Sequence, residues 1–118
     1  MSEIEDDDGP PAWDEGLAAY APGKYVVIGI TYLDAEGALV RREQMHGVIE
    51  SADPHEGFRV ALQGAREGQS RVLPPDPRGF EPAAPGEYRL RESGEVIVDP
   101  DLLSTWTLYA PEAANDVE

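Results

Sequence analysis

The chain has 118 residues, of which 24 are acidic and nine are basic, and its formal net charge is −15. A chain of this length suits one domain with a modest core. It contains no cysteine, which excludes a disulfide framework, a thiolate metal site and a thiol nucleophile. The acidic balance also predicts that the protein does not bind nucleic acid, because a duplex attracts a basic surface that this sequence does not offer.

Nothing in the sequence indicates a membrane protein. Residues 1–8 are acidic, whereas a signal peptide begins with basic residues. No apolar run approaches the roughly 20 residues of a spanning helix. We therefore expect no membrane association and a cytoplasmic location. Eight arginines against one lysine suggest a GC-rich, bacterial coding sequence.

Acidic residues concentrate at both ends of the chain. Residues 1–16 hold seven of them and residues 112–118 hold three, with no basic residue in either stretch. Such runs are typical of solvated, disordered tails. We therefore expect disordered acidic tails at 1–12 and 112–118 around a single domain at 13–111. An alternative role for the tails is electrostatic steering towards a basic partner.

Residues 13–22 have the composition of one or two helical turns. Trp13 and Leu17 share a face at i, i+4 spacing, and Ala21-Pro22-Gly23 ends the segment. Two interpretations stay open for this pair. They plug the domain's own barrel, which we favour because an exposed aromatic patch invites aggregation, or they form a short motif that binds another protein.

Residues 24–63 predict a three-stranded antiparallel meander. The run from Tyr25 to Leu33 has the density of β-branched and aromatic residues that is typical of a strand. Asp34-Ala35-Glu36-Gly37 fits a type I turn with a glycine bulge, which pairs Leu33 with Leu39. In the next hairpin Phe58, Val60 and Leu62 alternate with less apolar residues, and we pair Ile49 with Phe58.

The predicted register of the first hairpin contains a conflict. It pairs Ile30 with Arg42 and Ile28 with Gln44, so that an apolar strand faces a polar one. Either the first strand is covered on both faces, or a bulge near Arg41 shifts the register. Of these two explanations we favour the cover.

The last third of the chain predicts the end of a small barrel. Five prolines between residues 74 and 85 indicate an extended surface segment. A hairpin then pairs Leu90 with Val96 around Glu92-Ser93-Gly94, and Asp99 to Leu103 has the composition of a single 3₁₀ turn. Ser104 to Tyr109 forms the closing strand, with Trp106 buried. A hairpin, a helical turn and a closing strand in this order resemble the end of an SH3-like barrel.

We therefore expect an all-β fold, a small antiparallel SH3-like barrel of five to six strands. A short helical turn precedes it, and a 3₁₀ turn precedes its last strand. The resemblance covers about a quarter of the chain and concerns architecture only. The peptide-binding pattern of signalling SH3 domains is not evident, so their proline-rich ligands are not implied.

The sequence offers no constellation of catalytic residues. His46 and His55 have no partners at metal-ligand spacing, and no serine lies in a nucleophile elbow. A lone histidine of this kind is far more often structural or solvated than catalytic. We expect a protein that is not an enzyme and that uses no cofactor or metal.

Two functional hypotheses follow. In the first, the domain is a protein-interaction module, a monomer or weak dimer, that binds and inhibits a basic protein. Its apolar anchors are then Phe80 and Trp13, with Arg78 beside them. In the second, the domain is an accessory barrel that holds a small anion or acidic peptide through an arginine-rich face. The residues of that face are Arg41, Arg42, Arg59 and Arg71.

Overall fold

A computed structural model of the protein describes residues 13–109, and these fold mainly into β-strands. One helix, α1, precedes the strands and spans Glu15–Tyr20. The strands are β1 (Tyr25–Leu33), β2 (Leu39–Asp53), β3 (Gly57–Leu62), β4 (Ser70–Leu73), β5 (Phe80–Pro82), β6 (Glu87–Arg89), β7 (Val96–Val98) and β8 (Leu102–Tyr109). Short 3₁₀ turns at Gly64–Arg66 and Pro77–Gly79 flank β4. The predicted tails at 1–12 and 112–118 lie outside the described residues.

Six strands form one sheet in the order β4-β3-β2-β1-β8-β5, and β6 and β7 form a second sheet of two strands. Within residues 13–109 the edge strands β4 and β5 do not pair with each other, so the large sheet is not closed by hydrogen bonds. It is nevertheless strongly curled. Phe58 and Phe80 lie four strands apart, about 19 Å in a flat sheet, yet their ring centroids are 4.3 Å apart.

The meander at 24–63 is confirmed: β1, β2 and β3 pair antiparallel in sequence order. Leu33 pairs with Leu39 as predicted, but a bulge follows at once and Tyr32 pairs with Arg41. This shift of one residue places Met45, not Gln44, opposite Ile28. The bulge, which we disfavoured, therefore resolves the conflict in the first hairpin, because it turns the apolar side of β2 towards the core.

The second hairpin has the predicted strands in a different register. Ile49 pairs with Val60 instead of Phe58, and a bulge at Glu50 lets β2 continue to Asp53. The register differs from the predicted one by two residues. Since side chains alternate with a period of two, the buried face is the same in both.

The expectation of a wholly antiparallel sheet is wrong at β8, which runs parallel to β1. The 3₁₀ turn expected at Asp99 to Leu103 is also absent from this part of the described chain, because Leu102 and Leu103 begin β8. Two contacts explain both differences. The Asp101 N–H donates to the Tyr25 carbonyl at 2.9 Å, and the Tyr25 N–H donates to Asp101 Oδ2 at 2.8 Å. They hold the start of β8 beside the start of β1, so the two strands leave in the same direction.

The hairpin at 88–98 is present, also with a changed register. The Leu90 N–H donates to the Glu95 carbonyl at 2.8 Å, so the loop has four residues and Tyr88 pairs with Ile97, not Val98. Ile97 is consequently buried, whereas Val96 and Val98 are exposed.

The core lies on the concave face of the large sheet. Its buried members include Val26, Ile28, Met45, Phe58 and Val60. Trp13 and Leu17 pack against this cluster, and the rings of Trp13 and Phe58 lie 5.4 Å apart. Trp106, predicted to be buried, is only partly so and packs at the rim of the same cluster. Among residues 13–109 no helix is long and apolar enough to cross a membrane.

Candidate anion-binding site

The concave face becomes polar where β1 and β2 extend beyond β3. Because β2 alternates along its length, Arg41 and Glu43 point to the same face as Met45. Tyr32 projects beside them from β1 and donates a hydrogen bond from its hydroxyl to Glu43 Oε1 at 2.8 Å. The guanidinium carbon of Arg41 lies 4.0 Å from the centre of the Tyr32 ring, a cation–π contact.

Two further arginines reach the same carboxylate from other elements. Arg71 of β4 places Nη2 at 3.2 Å from Glu43 Oε1 and at 2.9 Å from the Tyr32 hydroxyl. Arg66, at the end of the first 3₁₀ turn, places Nη1 at 3.5 Å from Glu43 Oε2, and Arg41 Nη1 lies 3.4 Å from the same oxygen. We call Tyr32, Arg41, Glu43, Arg66 and Arg71 the arginine cluster.

The charges of the arginine cluster do not cancel. Three guanidinium groups face one carboxylate, so the cluster has a formal charge of +2 on a chain whose net charge is −15. Burial raises the pKa of Glu43, but the Tyr32 hydrogen bond and the charges of Arg71, Arg41 and Arg66 outweigh it and hold that pKa below its usual value. Glu43 is therefore ionised at neutral pH, and the excess of positive charge persists.

The guanidinium groups also have hydrogen-bonding capacity to spare. Charge-assisted N–H···O bonds have lengths of about 2.7–2.9 Å, and the contacts of Arg41 and Arg66 with Glu43 are longer, at 3.4 and 3.5 Å. The side chains of Arg66 and Arg71 are 29% and 30% exposed, and that of Arg41 is 55% exposed. A second anion can approach these donors from solvent.

The structure divides the four arginines that we assigned to one face. Arg41 and Arg71 come together at Glu43. Arg42 pairs with Thr31 and Arg59 pairs with Ser51, so both project from the opposite face of the sheet. Arg42 and Ser51 are nine positions apart along β2, a distance on the order of 25–30 Å. The bulge before Arg41 decides this division, because it exchanges the faces of Arg41 and Arg42.

Sequence reasoning missed Arg66, Tyr32 and Glu43. Arg66 ends the first 3₁₀ turn, which we did not predict, and this turn brings it to the sheet. Tyr32 lies in the strand that we predicted to be apolar, and Glu43 lies in the polar strand that faces it. No local pattern in the sequence brings these three residues together with Arg41 and Arg71, because they meet only through the fold.

The anchors predicted for a basic partner have other contacts. Phe80 lies between Phe58, at 4.3 Å, and Trp106, at 5.9 Å between centroids. Trp13 is partly buried, and its ring lies 5.4 Å from that of Phe58. Arg78 is exposed but engaged, because its Nε and Nη2 both donate to the Asp76 carboxylate at 2.9 Å.

One edge of Phe80 still faces solvent in a shallow groove between α1 and β5. The groove has a volume of about 430 Å³ and a largely apolar floor that includes Leu17, Phe80 and Leu102. Tyr20 lies on its wall, and two carboxylates, of Asp14 and Glu81, lie along its lining. Trp13 and Arg78 are not part of this lining.

A second polar cluster lies on the opposite face of the sheet, under the β6–β7 hairpin. His46 is 7% exposed and lies between the Tyr25 hydroxyl, 2.7 Å from Nδ1, and Glu95 Oε1, 3.1 Å from Nε2. Ser93 Oγ donates to Glu95 Oε1 at 3.1 Å, and the Ala65 N–H donates to Glu95 Oε2 at 2.8 Å. We call Tyr25, His46, Ser93 and Glu95 the histidine cluster.

The order Tyr–His–Glu has the outline of a nucleophile, a base and an orienting acid, but the electrostatics do not suit that role. Burial, with the charge of Glu95, raises the pKa of Tyr25 and disfavours the phenolate. All the groups of the cluster bond one another, so its evident effect is to fasten the hairpin to the sheet. Within residues 13–109 no group of three or more histidine and acidic side chains is arranged to hold a metal ion.

Comparison with known proteins adds no relative: no protein-family model, curated protein or solved structure matches the chain.

Proposed function

We propose that the protein is a non-catalytic binding module that recognises a carboxylate-bearing, acidic peptide through the arginine cluster. One observation carries the proposal: Arg41, Arg66 and Arg71 converge from three different elements on a single carboxylate and leave a charge of +2. The three guanidinium groups repel one another because they lie around the same carboxylate, and a bound anion would relieve that repulsion. The planar guanidinium group of arginine can also donate two parallel hydrogen bonds to one carboxylate, which the ammonium group of lysine cannot do in the same geometry.

Glu43 has a specific part in this proposal. It accepts from Tyr32 and Arg71, which fixes their orientation before a ligand arrives. Such preorganisation lowers the entropic cost of binding. Because the cluster is open to solvent, we expect modest affinity that weakens as ionic strength rises.

The test is an NMR titration of the full chain with hexaglutamate in low salt. We expect saturable shifts at Tyr32, Arg66 and Arg71. Arg66→Gln should weaken binding by at least about fivefold, because one charge-assisted contact is lost. Arg89→Gln, which removes an exposed arginine of β6, should leave the affinity within about twofold. Equal loss in both variants would reduce the interaction to net charge and overturn the proposal.

A second candidate function has its own observation in favour. The groove between α1 and β5 combines an apolar floor with the carboxylates of Asp14 and Glu81, which suits a basic amphipathic partner. Under this hypothesis Phe80 remains an anchor, whereas Trp13 and Arg78 contribute from outside the groove. A cationic amphipathic helical peptide should then shift Tyr20 and Glu81. Tyr20→Ala should weaken the binding of this peptide more than the control Tyr109→Ala, which removes another exposed tyrosine.

The finer parts of the fold and location belong to the same proposal. The strong curl of the large sheet supports an SH3-like barrel, although β8 runs parallel to β1. The absence of cysteine and the excess of arginine over lysine support a cytoplasmic, bacterial protein. We propose that it acts as a monomer or weak dimer, without a cofactor.

A further inference from the structure

Strand β4 has a free edge beside the arginine cluster. It is the outermost strand of the large sheet, and within residues 13–109 only β3 pairs with it. Its four residues, Ser70–Leu73, include Arg71, which belongs to the arginine cluster. An unpaired strand edge is a template on which another chain can add as a strand.

The register of β3 and β4 shows which backbone groups face outwards. The Leu62 N–H donates to the Gln69 carbonyl at 2.9 Å, so Leu62 and Gln69 are a hydrogen-bonded pair. In an antiparallel ladder such pairs recur at every second residue, which makes Arg71 and Leu73 the next ones. The N–H and C=O groups of Ser70 and Val72 therefore point away from β3, towards the free edge.

The two faces of β4 present different side chains to an added strand. Arg71 projects on the concave face, where it contacts Tyr32 and Glu43. Val72 projects on the opposite face and is 47% exposed, with Arg59 as its cross-strand neighbour. Residues opposite each other in paired strands have side chains about 4.5–5.5 Å apart. A strand on β4 would thus place one side chain beside Arg71 and the next beside Val72.

We propose that the acidic peptide binds as an added strand on β4, with alternating acidic and apolar residues. This inference rests on the proposed function of the arginine cluster. The backbone of the peptide bonds Ser70 and Val72, its acidic side chains face Arg71, and its apolar side chains pack against Val72. A second copy of this protein is the poorer occupant, because pairing two β4 edges would bring two clusters of charge +2 together.

The probes are two blocked nonapeptides of identical composition. In one, glutamate alternates with valine; in the other, the glutamates form one block and the valines another. Both have the same charge, so binding driven by charge alone treats them equally. We expect the alternating peptide to bind the full chain at least about tenfold more tightly than the block peptide. A tenfold difference in affinity corresponds to the net contribution of one or two backbone hydrogen bonds.

Amide hydrogen exchange locates the added strand directly. On saturation with the alternating peptide, exchange should slow at Ser70 and Val72. It should change little at Arg71 and Leu73, whose N–H groups already face β3. Slowing at all four residues, or at none, would overturn strand addition.

The variant Val72→Pro removes the outward N–H without taking a hydrogen bond from the β3–β4 ladder. It should weaken the alternating peptide by about tenfold and leave the affinity for hexaglutamate unchanged. Val72→Thr, which keeps the N–H and the branched side chain, should retain most of the affinity for the alternating peptide.

Failure of the two proposals is distinguishable. If Val72→Pro binds the alternating peptide with native affinity, while Arg66→Gln has a reduced affinity for hexaglutamate, strand addition is wrong. The proposed anion site at the arginine cluster is then retained. If neither hexaglutamate nor either nonapeptide binds at low salt, the proposed function itself is wrong. If Val72→Pro does not fold, the exchange pattern of the native chain decides alone.

Discussion

The arginine cluster and the histidine cluster are each built around one carboxylate, and they differ in what surrounds it. Glu43 faces three arginines and a tyrosine. Glu95 faces one imidazole, one hydroxyl and one backbone N–H. Burial raises the pKa of each carboxylate, but these contacts lower it by more. Both carboxylates therefore stay ionised at neutral pH.

The difference separates a structural site from one that has capacity for a ligand. In the histidine cluster every polar side chain bonds another member of the cluster. In the arginine cluster the positive charges outnumber the negative one, and two of the three ion pairs are longer than 3.3 Å. Buried polar groups that satisfy one another specify the fold, whereas exposed charge in excess attracts counter-ions from solution. Substitutions should separate these roles.

The largest effect should come from His46→Ala. It leaves a cavity under the β6–β7 hairpin and deprives Tyr25 and Glu95 of their common partner. We expect the free energy of unfolding to fall by about 2–4 kcal/mol and the affinity for hexaglutamate to stay the same. Chemical denaturation measures the first quantity. The control is His55→Ala in an exposed loop, which should cost less than about 0.5 kcal/mol. Equal effects of the two changes would mean that His46 is not a structural tie.

A smaller loss should follow from Gly64→Ala. Gly64 has φ +65, and an added Cβ would meet Glu95 Oε2 and come 2.7 Å from His46 Nε2. Gly68 also has a positive φ, of +94, but nothing lies within 4 Å of its Cβ position. Both changes should carry the left-handed penalty of about 1–2 kcal/mol. We expect Gly64→Ala to cost about 1 kcal/mol more, because the histidine cluster must open. Identical denaturation midpoints would contradict the close packing at Gly64.

The strands could be predicted from the sequence much better than their registers. The density of β-branched residues in Tyr25–Leu33 and the alternation at Phe58 and Val60 marked the strands, because both patterns are local. The bulge at Glu50 was not predicted, and the one at Val40 was only the disfavoured alternative, because the backbone geometry of a bulge depends on the partner strand. The two errors had unequal results. The shift by two residues preserved the buried face of the strand, whereas the shift by one residue exchanged the sheet faces on which Arg41 and Arg42 lie.

The parallel pairing of β8 and the arginine cluster were beyond local reasoning for a similar reason. Asp99 to Leu103 has helical-turn composition, but hydrogen bonds between Asp101 and Tyr25, 76 positions apart, override it. Arg66, Arg71 and Glu43 meet only through the fold, since spacing in the sequence contains no trace of a contact between β2, β4 and a 3₁₀ turn. Only two of the four arginines that we assigned to one face lie together, so the membership of the cluster was not predictable.

The two carboxylates can be compared directly through Glu43→Gln and Glu95→Gln. Glu43→Gln removes the countercharge of three arginines, so stability should fall, by less than about 1 kcal/mol because the site is partly exposed. The affinity for hexaglutamate should rise by about twofold to tenfold, since the cluster then has a charge of +3. Glu95→Gln should lower stability without changing that affinity. Fluorescence-monitored denaturation and isothermal titration provide the two measurements. A fall in affinity for Glu43→Gln would mean that Glu43 orients the donors more than it competes with the ligand.

The smallest expected effect is a pH dependence of stability that sulfate should alter at one of the two sites only. In the folded protein the pKa values of Glu43 and Glu95 both lie below the ordinary 4.5. Each therefore stabilises the fold above about pH 4.5, and that stabilisation is lost as pH falls through the lowered values. Either Gln variant should show a shallower decline of stability between pH 5 and pH 3 than the native chain.

Sulfate, which keeps its charge over this range, should raise the pKa of Glu43 by adding negative charge at the arginine cluster and leave that of Glu95 unchanged. Carboxyl ¹³C titration with and without sulfate measures both. If sulfate moves both pKa values equally, it acts through ionic strength, and the distinction between an open and a closed cluster fails.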